Sequence, residues 1–436
     1  MTAPATEARV ETTARWFWWA LGAVAFVALV IRVVYIFVER RDLEFSGDAF
    51  FYHGGANLLA DGKGFISPYA FQTGREVQAA DHPPLYIVFL AIPSLLRMTS
   101  TLTHLLWSAL LGTATVVLVG LVGRAVAGAR AGIVAALVAA VYPSMWAPDG
   151  ALEAETLAMF TTALTQLLAY RYLQRPSWGR LTATGVAVGA AALSRSELIL
   201  LVPLLLLPLA LLSRDVDWKQ RWKWLGASAL ATLVVIAPWV GYNLTRFDRP
   251  VLLSSQFESL LASANCDTVY YGDFTGYFSI DCATKVARRE HVLRADESEQ
   301  AAAFRKAAID YATGHLSRLP AVVAARVGRM VGVFEPEQQV NLESLLGGRE
   351  YGVAKWSMYG FYLLAILSII GAVVLRRRRT VPLYPLLSVL VAVLLTVIVT
   401  YANIRFRAPA EVVLAVLGAV AIDAGIARVV PILRKP

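Results

Sequence analysis

Two short polar stretches hold the residues best suited to chemistry. Gly47-Asp48-Ala49-Phe50-Phe51-Tyr52 follows the first apolar run, and Asp81-His82-Pro83-Pro84-Leu85-Tyr86 comes before the next. Asp48 is an acid beside an aromatic wall. A partly desolvated carboxylate has a raised pKa and can take a proton from a hydroxyl. The plainer role for Ser46-Gly47-Asp48 is to cap a helix. His82 precedes two prolines, which fix the backbone and deny a helix there, so its imidazole is held where it could meet a phosphate. A turn residue with its ring in water is the alternative.

Further charges interrupt apolar sequence. Glu153 and Glu155 follow Pro148 and Asp149. A helix N-terminus accounts for one such acid, whereas an acid deep in an apolar run marks function. Arg195 and Glu197 either neutralise one another or leave Arg195 to bind an anion in a cavity. Arg405 and Arg407 flank Phe406, either reaching lipid headgroups or gripping a phosphate. The five histidines show no HExxH spacing. No cofactor is required by this pattern, and it leaves room for a divalent metal between Asp48 and Glu155.

The elements that must position these groups are membrane helices. The chain has 436 residues, is 57% hydrophobic and only 16% charged, and its mean hydropathy is +0.58. Soluble domains of this length carry more charge. Apolar stretches predict about ten spans, near 15–38, 101–123, 131–147, 151–171, 180–195, 197–213, 222–243, 356–375, 380–401 and 408–428. The first is too long for a signal-peptide core and is expected to stay as a helix. Pro84–Leu96 is too short to cross and is expected to lie at the interface or re-enter.

Basic residues fall in alternate loops: Arg124 and Arg130; Arg171, Arg175 and Arg180; Arg214, Lys219, Arg221 and Lys223; Arg376 to Arg379; and Arg434-Lys435. The positive-inside rule makes that side, and both termini, cytoplasmic. This orientation explains much of the +9 net charge and argues against nucleic acid as a partner.

Three parts follow: an N-terminal membrane module, 1–246, with a reactive first external loop at 39–100; an external insert, 247–355; and C-terminal membrane helices, 356–436. Within the insert, Asp296-Glu297-Ser298-Glu299 predicts a helix start, running to about His315. Leu319–Phe334, with Arg326 and Arg329 among apolar residues, reads as an interfacial helix. Cys266 and Cys282 are the only cysteines, and both fall on the expected oxidising side. A disulfide there would contribute about 3 kcal/mol, although two separate thiols also fit.

In its ordered motifs the chain resembles the glycosyltransferase-C superfamily. It is most similar to the bacterial branch related to dolichyl-phosphate-mannose protein mannosyltransferases and lipid A aminoarabinose transferases. The matching pieces are Gly47-Asp48-x-x-x-Tyr52, His82-Pro83-Pro84-Leu85-Tyr86, the Glu155 turn, Leu193-Ser194-Arg195, Pro238-Trp239 with Asn243, and Arg405-Phe406-Arg407-x-Pro409. The resemblance implies an all-α polytopic membrane fold with interfacial helices in the first external loop. It also implies a hexosyl- or pentosyltransferase of the plasma membrane, using a sugar on polyprenyl phosphate. Asp48 would be the catalytic acid, acting outside the cytoplasm on an acceptor hydroxyl of the cell envelope, with inversion. Tyr52, His82, Glu155, Arg195, Arg405 and Arg407 would bind the donor phosphate or substrate.

Two positions depart from the pattern. Ala49 stands where eukaryotic protein mannosyltransferases have a second acid, and Tyr242 stands where many bacterial relatives have Arg before the Asn. A transporter or flippase for a lipid-linked or anionic substrate is the competing reading. It would have broken helices at mid-membrane and related halves, whereas here the polar groups cluster at one face.

Overall fold

A computed structural model describes residues 4–42, 45–213 and 216–433, with side chains from 15 to 428 within those limits. Arg214, Arg434 and Lys435, three of the basic residues used above for orientation, lie outside them. Among the described residues the secondary structure is helical, apart from one isolated bridge between Ile66 and Gln78.

Among the described residues, five helices are long and apolar enough to cross a bilayer: Arg15–Arg40, Thr101–Ala127, Trp218–Leu244, Tyr351–Arg378 and Ile404–Arg428. The other five expected spans are shorter or more polar. Ala129–Val141 has 13 residues, short of a hydrocarbon core about 30 Å thick. Glu155–Gln174 and Trp178–Ser194 carry more polar residues, and Tyr384–Val399 has 16 residues. The stretch 197–213 is a run of 3₁₀, π and α turns rather than one rod. Pro203 and Pro208 explain that, because each lacks a backbone donor and interrupts the α ladder.

The helices pack around one core that includes Phe17, Leu21, Val119, Ala136, Leu205 and Val416. Small residues allow close approach. A Cβ on Gly132 would lie 2.6 Å from the Gly120 carbonyl, so helices 101–127 and 129–141 can touch backbone to backbone. Leu85–Leu95 shows one buried face, with Tyr86 and Leu90, and one exposed face, with Val88, Ile92 and Leu95. Both faces are apolar, so one packs on the protein and the other is left free to meet lipid.

The insert 247–355 is a cluster of short helices: Gln256–Ser263, Asp267–Tyr271, Ile280–Arg289, Glu297–Gly314, Leu319–Met330 and Pro336–Leu345. The Cys266–Cys282 disulfide is formed, with a Cα–Cα distance of 6.2 Å. Helix Glu297–Gly314 starts as expected, with the Asp296 side chain accepting from the Glu299 N–H at 2.9 Å.

Helix Leu319–Met330 departs from the interfacial reading, because Arg326 and Arg329 are buried. Arg326 donates to the carbonyls of Ile398 and Ala264, both at 2.8 Å. Arg329 donates to Thr275 O at 2.6 Å and Asp273 O at 3.0 Å. Carbonyls left over at helix ends and turns need donors, and these guanidinium groups supply them; Arg326 thereby fastens the insert to helix Tyr384–Val399, while Arg329 ties the insert to itself.

Candidate active site

Asp48 sits in the first turn of helix Gly47–Ala60. Gly47 has φ +59°, a left-handed conformation that suits glycine. Ser46 makes no side-chain cap there. Asp48 does not cap the helix but reaches across the molecule, so the capping alternative does not describe its carboxylate. Its Oδ2 accepts from Arg405 Nη2 at 2.9 Å, and its Oδ1 lies 3.6 Å from His82 Nε2. Burial pushes this carboxyl up, but Arg405 and then His82 more than offset it and hold it below the usual carboxylate range. The sequence led to the opposite expectation, a raised value, because nothing local to Asp48 announces an arginine 357 residues away.

His82 is buried and not left in water. Its ring packs on Phe51 at 4.9 Å and Tyr52 at 4.8 Å, with Pro83 and Pro84 fixing the turn that leads into helix Leu85–Leu95.

The second arm comes from the turn before helix Glu155–Gln174. Leu152 there has φ +52° and is fully buried. A branched residue in this region is strained, and such strain often accompanies side chains aimed for function. Beyond it, Glu153 and Glu155 point into the site. Glu155 Oε1 accepts from Arg195 Nη1 at 2.5 Å and Arg405 Nε at 3.2 Å. Arg195 ends helix Trp178–Ser194 and also donates to Glu197 Oε1 at 2.6 Å. Both alternatives for Arg195 therefore hold in part: it pairs with Glu197, and it also lines a cavity.

Arg405 is the hub. It bridges Asp48, Glu153 and Glu155, the last two at 3.2 Å. Glu153 in turn accepts from Arg349 at 2.7 Å, and Arg349 lies 3.1 Å from Glu343. Sequence reasoning missed Arg349 and Glu343, since no spacing links them to residues near position 150. Arg407 does not join this cluster. It pairs with Glu411 at 3.1 Å, donates to Met330 O at 2.9 Å and lies 3.7 Å from the Phe361 ring centroid. Residues i and i+2 on a 3₁₀ turn face different ways, which separates Arg407 from Arg405.

These groups line one cavity of about 1200 Å³, with Asp48, Tyr52, His82, Glu155, Arg195 and Arg405 at its polar end. Its other walls include Ile199, Leu200, Leu395 and Val399 from membrane helices, and the 249–258 segment from the insert. Arg249 also lines it, and its exposed side chain has no acidic partner among the described residues.

The turn in which Tyr242 replaces the expected arginine is anchored by Arg246. Arg246 donates to Phe65 O and Ala79 O, both at 2.7 Å, and to Asn243 Oδ1 at 2.8 Å. Its guanidinium stacks on Tyr242 at 4.5 Å and Trp239 at 5.1 Å. The anchoring charge is thus present, four residues later in the chain.

Residues 81–242 match the model of the family described as dolichyl-phosphate-mannose-protein mannosyltransferase. The chain also superposes on solved structures of the oligosaccharyltransferase AglB from the archaeon Archaeoglobus fulgidus. With the form holding an inhibitory peptide and a dolichol-phosphate, the TM-score is 0.56 at 16% identity, covering 95% of this chain and 50% of that one. With the form holding zinc and sulfate the values are 0.52 and 15%, covering 94% and 49%. ArnT from Cupriavidus metallidurans, bound to undecaprenyl phosphate, gives 0.44 at 16%, covering 93% and 79%, a score too low to bear on the fold. The chain spans about half the length of the archaeal enzyme it matches. A comparison with curated protein sequences finds no match. At these identities the likeness is one of fold, and that fold is the glycosyltransferase-C-like, multi-pass helical architecture implied by the sequence.

Proposed function

We propose that the protein is a membrane glycosyltransferase that moves a sugar from polyprenyl phosphate to an acceptor hydroxyl at the extracytoplasmic face. One observation carries the reading. Asp48, His82, Glu155, Arg195 and Arg405, scattered through the sequence, meet at the polar end of a cavity whose other walls are partly apolar. An isoprenoid tail suits the Leu395–Val399 side, and a sugar phosphate suits the polar end. The family match and the fold shared with AglB support this choice over transport.

In this reaction the acceptor oxygen attacks the anomeric carbon as its proton passes to Asp48. The bond from that carbon to the phosphate oxygen breaks, and polyprenyl phosphate leaves with the electron pair. A single base opposite the leaving group gives inversion. Arg405 holds Asp48 ionised before substrate binds, which keeps it a weak base. A phosphate that takes over part of the Arg405 charge loosens that hold and strengthens the base as the donor arrives. Arg249, with no acid to neutralise it, is the cation left to meet the incoming phosphate. His82 orients Asp48 and adds a donor beside it. Arg407 acts outside the cavity and serves the packing of the 404–411 turn.

A divalent metal between Asp48 and Glu155 does not fit the residues as arranged. The Arg405 guanidinium stands between those acids. Among the described residues the only trio of ligand-type side chains with converging donor atoms is Asp248, Asp296 and Glu299, outside this cluster. The guanidinium provides the bridging positive charge between Asp48 and Glu155. The insert 247–355 caps the cavity and selects the acceptor, while the basic loops and both termini face the cytoplasm.

The test is a membrane assay with a panel of polyprenyl-phosphate sugars, scored for sugar leaving the lipid. Release of free polyprenyl phosphate, dependent on Asp48, is the expected result. Accumulation of intact substrate in sealed vesicles, with no release, would instead make the protein a transporter.

A further inference from the structure

Glu297 is a second acid that reaches across the molecule, and the mechanism above does not use it. It begins helix Glu297–Gly314 in the insert, yet its carboxylate leaves that helix end. Oε2 accepts from the Ala80 N–H at 2.7 Å and from Ser255 Oγ at 2.8 Å. Ala80 lies two residues before His82, and Ser255 belongs to the cavity wall 249–258. The same junction is stitched by the Ser255 N–H to Ala80 O at 2.9 Å and by the Ser254 hydroxyl to Asp81 O. One carboxylate thus joins the loop that carries His82, the outer wall of the cavity and the insert. We propose that Glu297 is a positioning residue, a clasp that holds the His82-bearing loop against the cavity wall.

The clasp has a built-in sensitivity to pH. Asp81 is the acid whose charge acts on Glu297, and Arg246 is the cation that opposes it. Asp81 is itself flanked by His82 and Asp48. On the same helix, Asp296 is turned to the Asp248 N–H at 2.9 Å. Burial and then the Asp81 charge push the Glu297 carboxyl up to about 8, and burial also raises Asp81. A carboxyl whose value is raised in the closed state favours that state fully below its ordinary value. That advantage is lost as pH rises through the raised value. The clasp therefore weakens progressively as pH climbs from the ordinary carboxyl value towards about 8, and it is loosest above that, when both acids carry charge. Glutamine in place of Glu297 would keep the accepting oxygen and remove the charge.

The role in transfer rests on the glycosyltransferase reading, so the experiment reads the clasp separately. Amide hydrogen exchange of segments 79–82 and 253–256 is followed in the full chain in detergent between pH 6 and 9.5, corrected for intrinsic rates. Wild type should open about tenfold more per pH unit from pH 6 up to about 8 and level off above it. Glu297→Gln should stay protected throughout, and Glu297→Ala should be open at every pH. In parallel, the sugar released most readily from the panel is used for pH–rate profiles. Wild type should show an alkaline decline that Glu297→Gln removes, while Glu297→Ala raises KM at all pH. Exchange in wild type that ignores pH, or a Gln variant that opens like wild type, would overturn the clasp. Exchange as expected without release of any sugar would sustain the clasp and remove the transfer reading.

Discussion

Two regions bury arginine in contrasting ways. In the insert, Arg326 and Arg329 give their N–H groups to backbone carbonyls of Ile398, Ala264, Thr275 and Asp273. At the cavity, Arg195 and Arg405 give theirs to Asp48, Glu153, Glu155 and Glu197. A carbonyl partner has nowhere else to turn, so the first pair acts as a permanent rivet. Carboxylates beside an open cavity can trade their cation with an arriving phosphate, so the second pair is poised for exchange. A carboxylate partner that also borders the cavity, and not burial, separates the second pair from the first; Arg407, paired with Glu411 away from the cavity, stays structural.

The largest effect expected is at the reactive cluster. Asp48→Asn should cut transfer about 10²–10⁴-fold, with normal abundance in membranes by immunoblot. Near-wild-type release by this variant would remove the cavity's claim to chemistry. Next, a Cys266→Ser and Cys282→Ser double variant should lose about 3 kcal/mol of stability in thermal unfolding, while the folded fraction transfers normally. A change in rate per folded molecule would blur the line between rivets and site.

The same substitution in both regions sharpens the contrast most directly. Arg405→Lys keeps charge but cannot hold three acids in one plane, so transfer should fall about 100-fold. Arg326→Lys should instead cost about 1–3 kcal/mol in stability, with kcat unchanged. If both variants lost stability alone, or activity alone, the contrast would fail. The smallest effect is at Arg249. Arg249→Ala should raise the donor KM about tenfold, with little change in kcat, and the difference should shrink at high salt.

Much of this was legible in the chain, for physical reasons that can be named. Asp48, His82, Glu155 and Arg195 stood out because a charge inside or beside an apolar run has a high cost and so draws notice. Two cysteines in one segment made the disulfide an open alternative to separate thiols, and the structure forms it. Arg349, Glu343 and Arg246 stayed hidden, and Glu297 was read only as part of a helix start, because each sits in ordinary polar sequence and acquires its meaning from a distant partner. The opposite error befell Arg407, which shares a motif with Arg405 but turns away with the 3₁₀ backbone. Span counting was sound for the five long helices and weaker for 197–213, where prolines break one apolar run into turns of different pitch.

Gly47 offers a different lesson for anyone altering this protein. A methyl group added there would touch no atom within 4 Å, so inspection of neighbours would pass alanine as harmless. The torsion at that peptide is what forbids it, at roughly 1–2 kcal/mol for an L side chain. Relief of that torsion would swivel the following carboxylate out of register. In the proposed mechanism, transfer thus depends on a residue with no side chain, held through its carbonyl by the Tyr69 hydroxyl at 2.6 Å, and saturation mutagenesis should find it among the least forgiving positions.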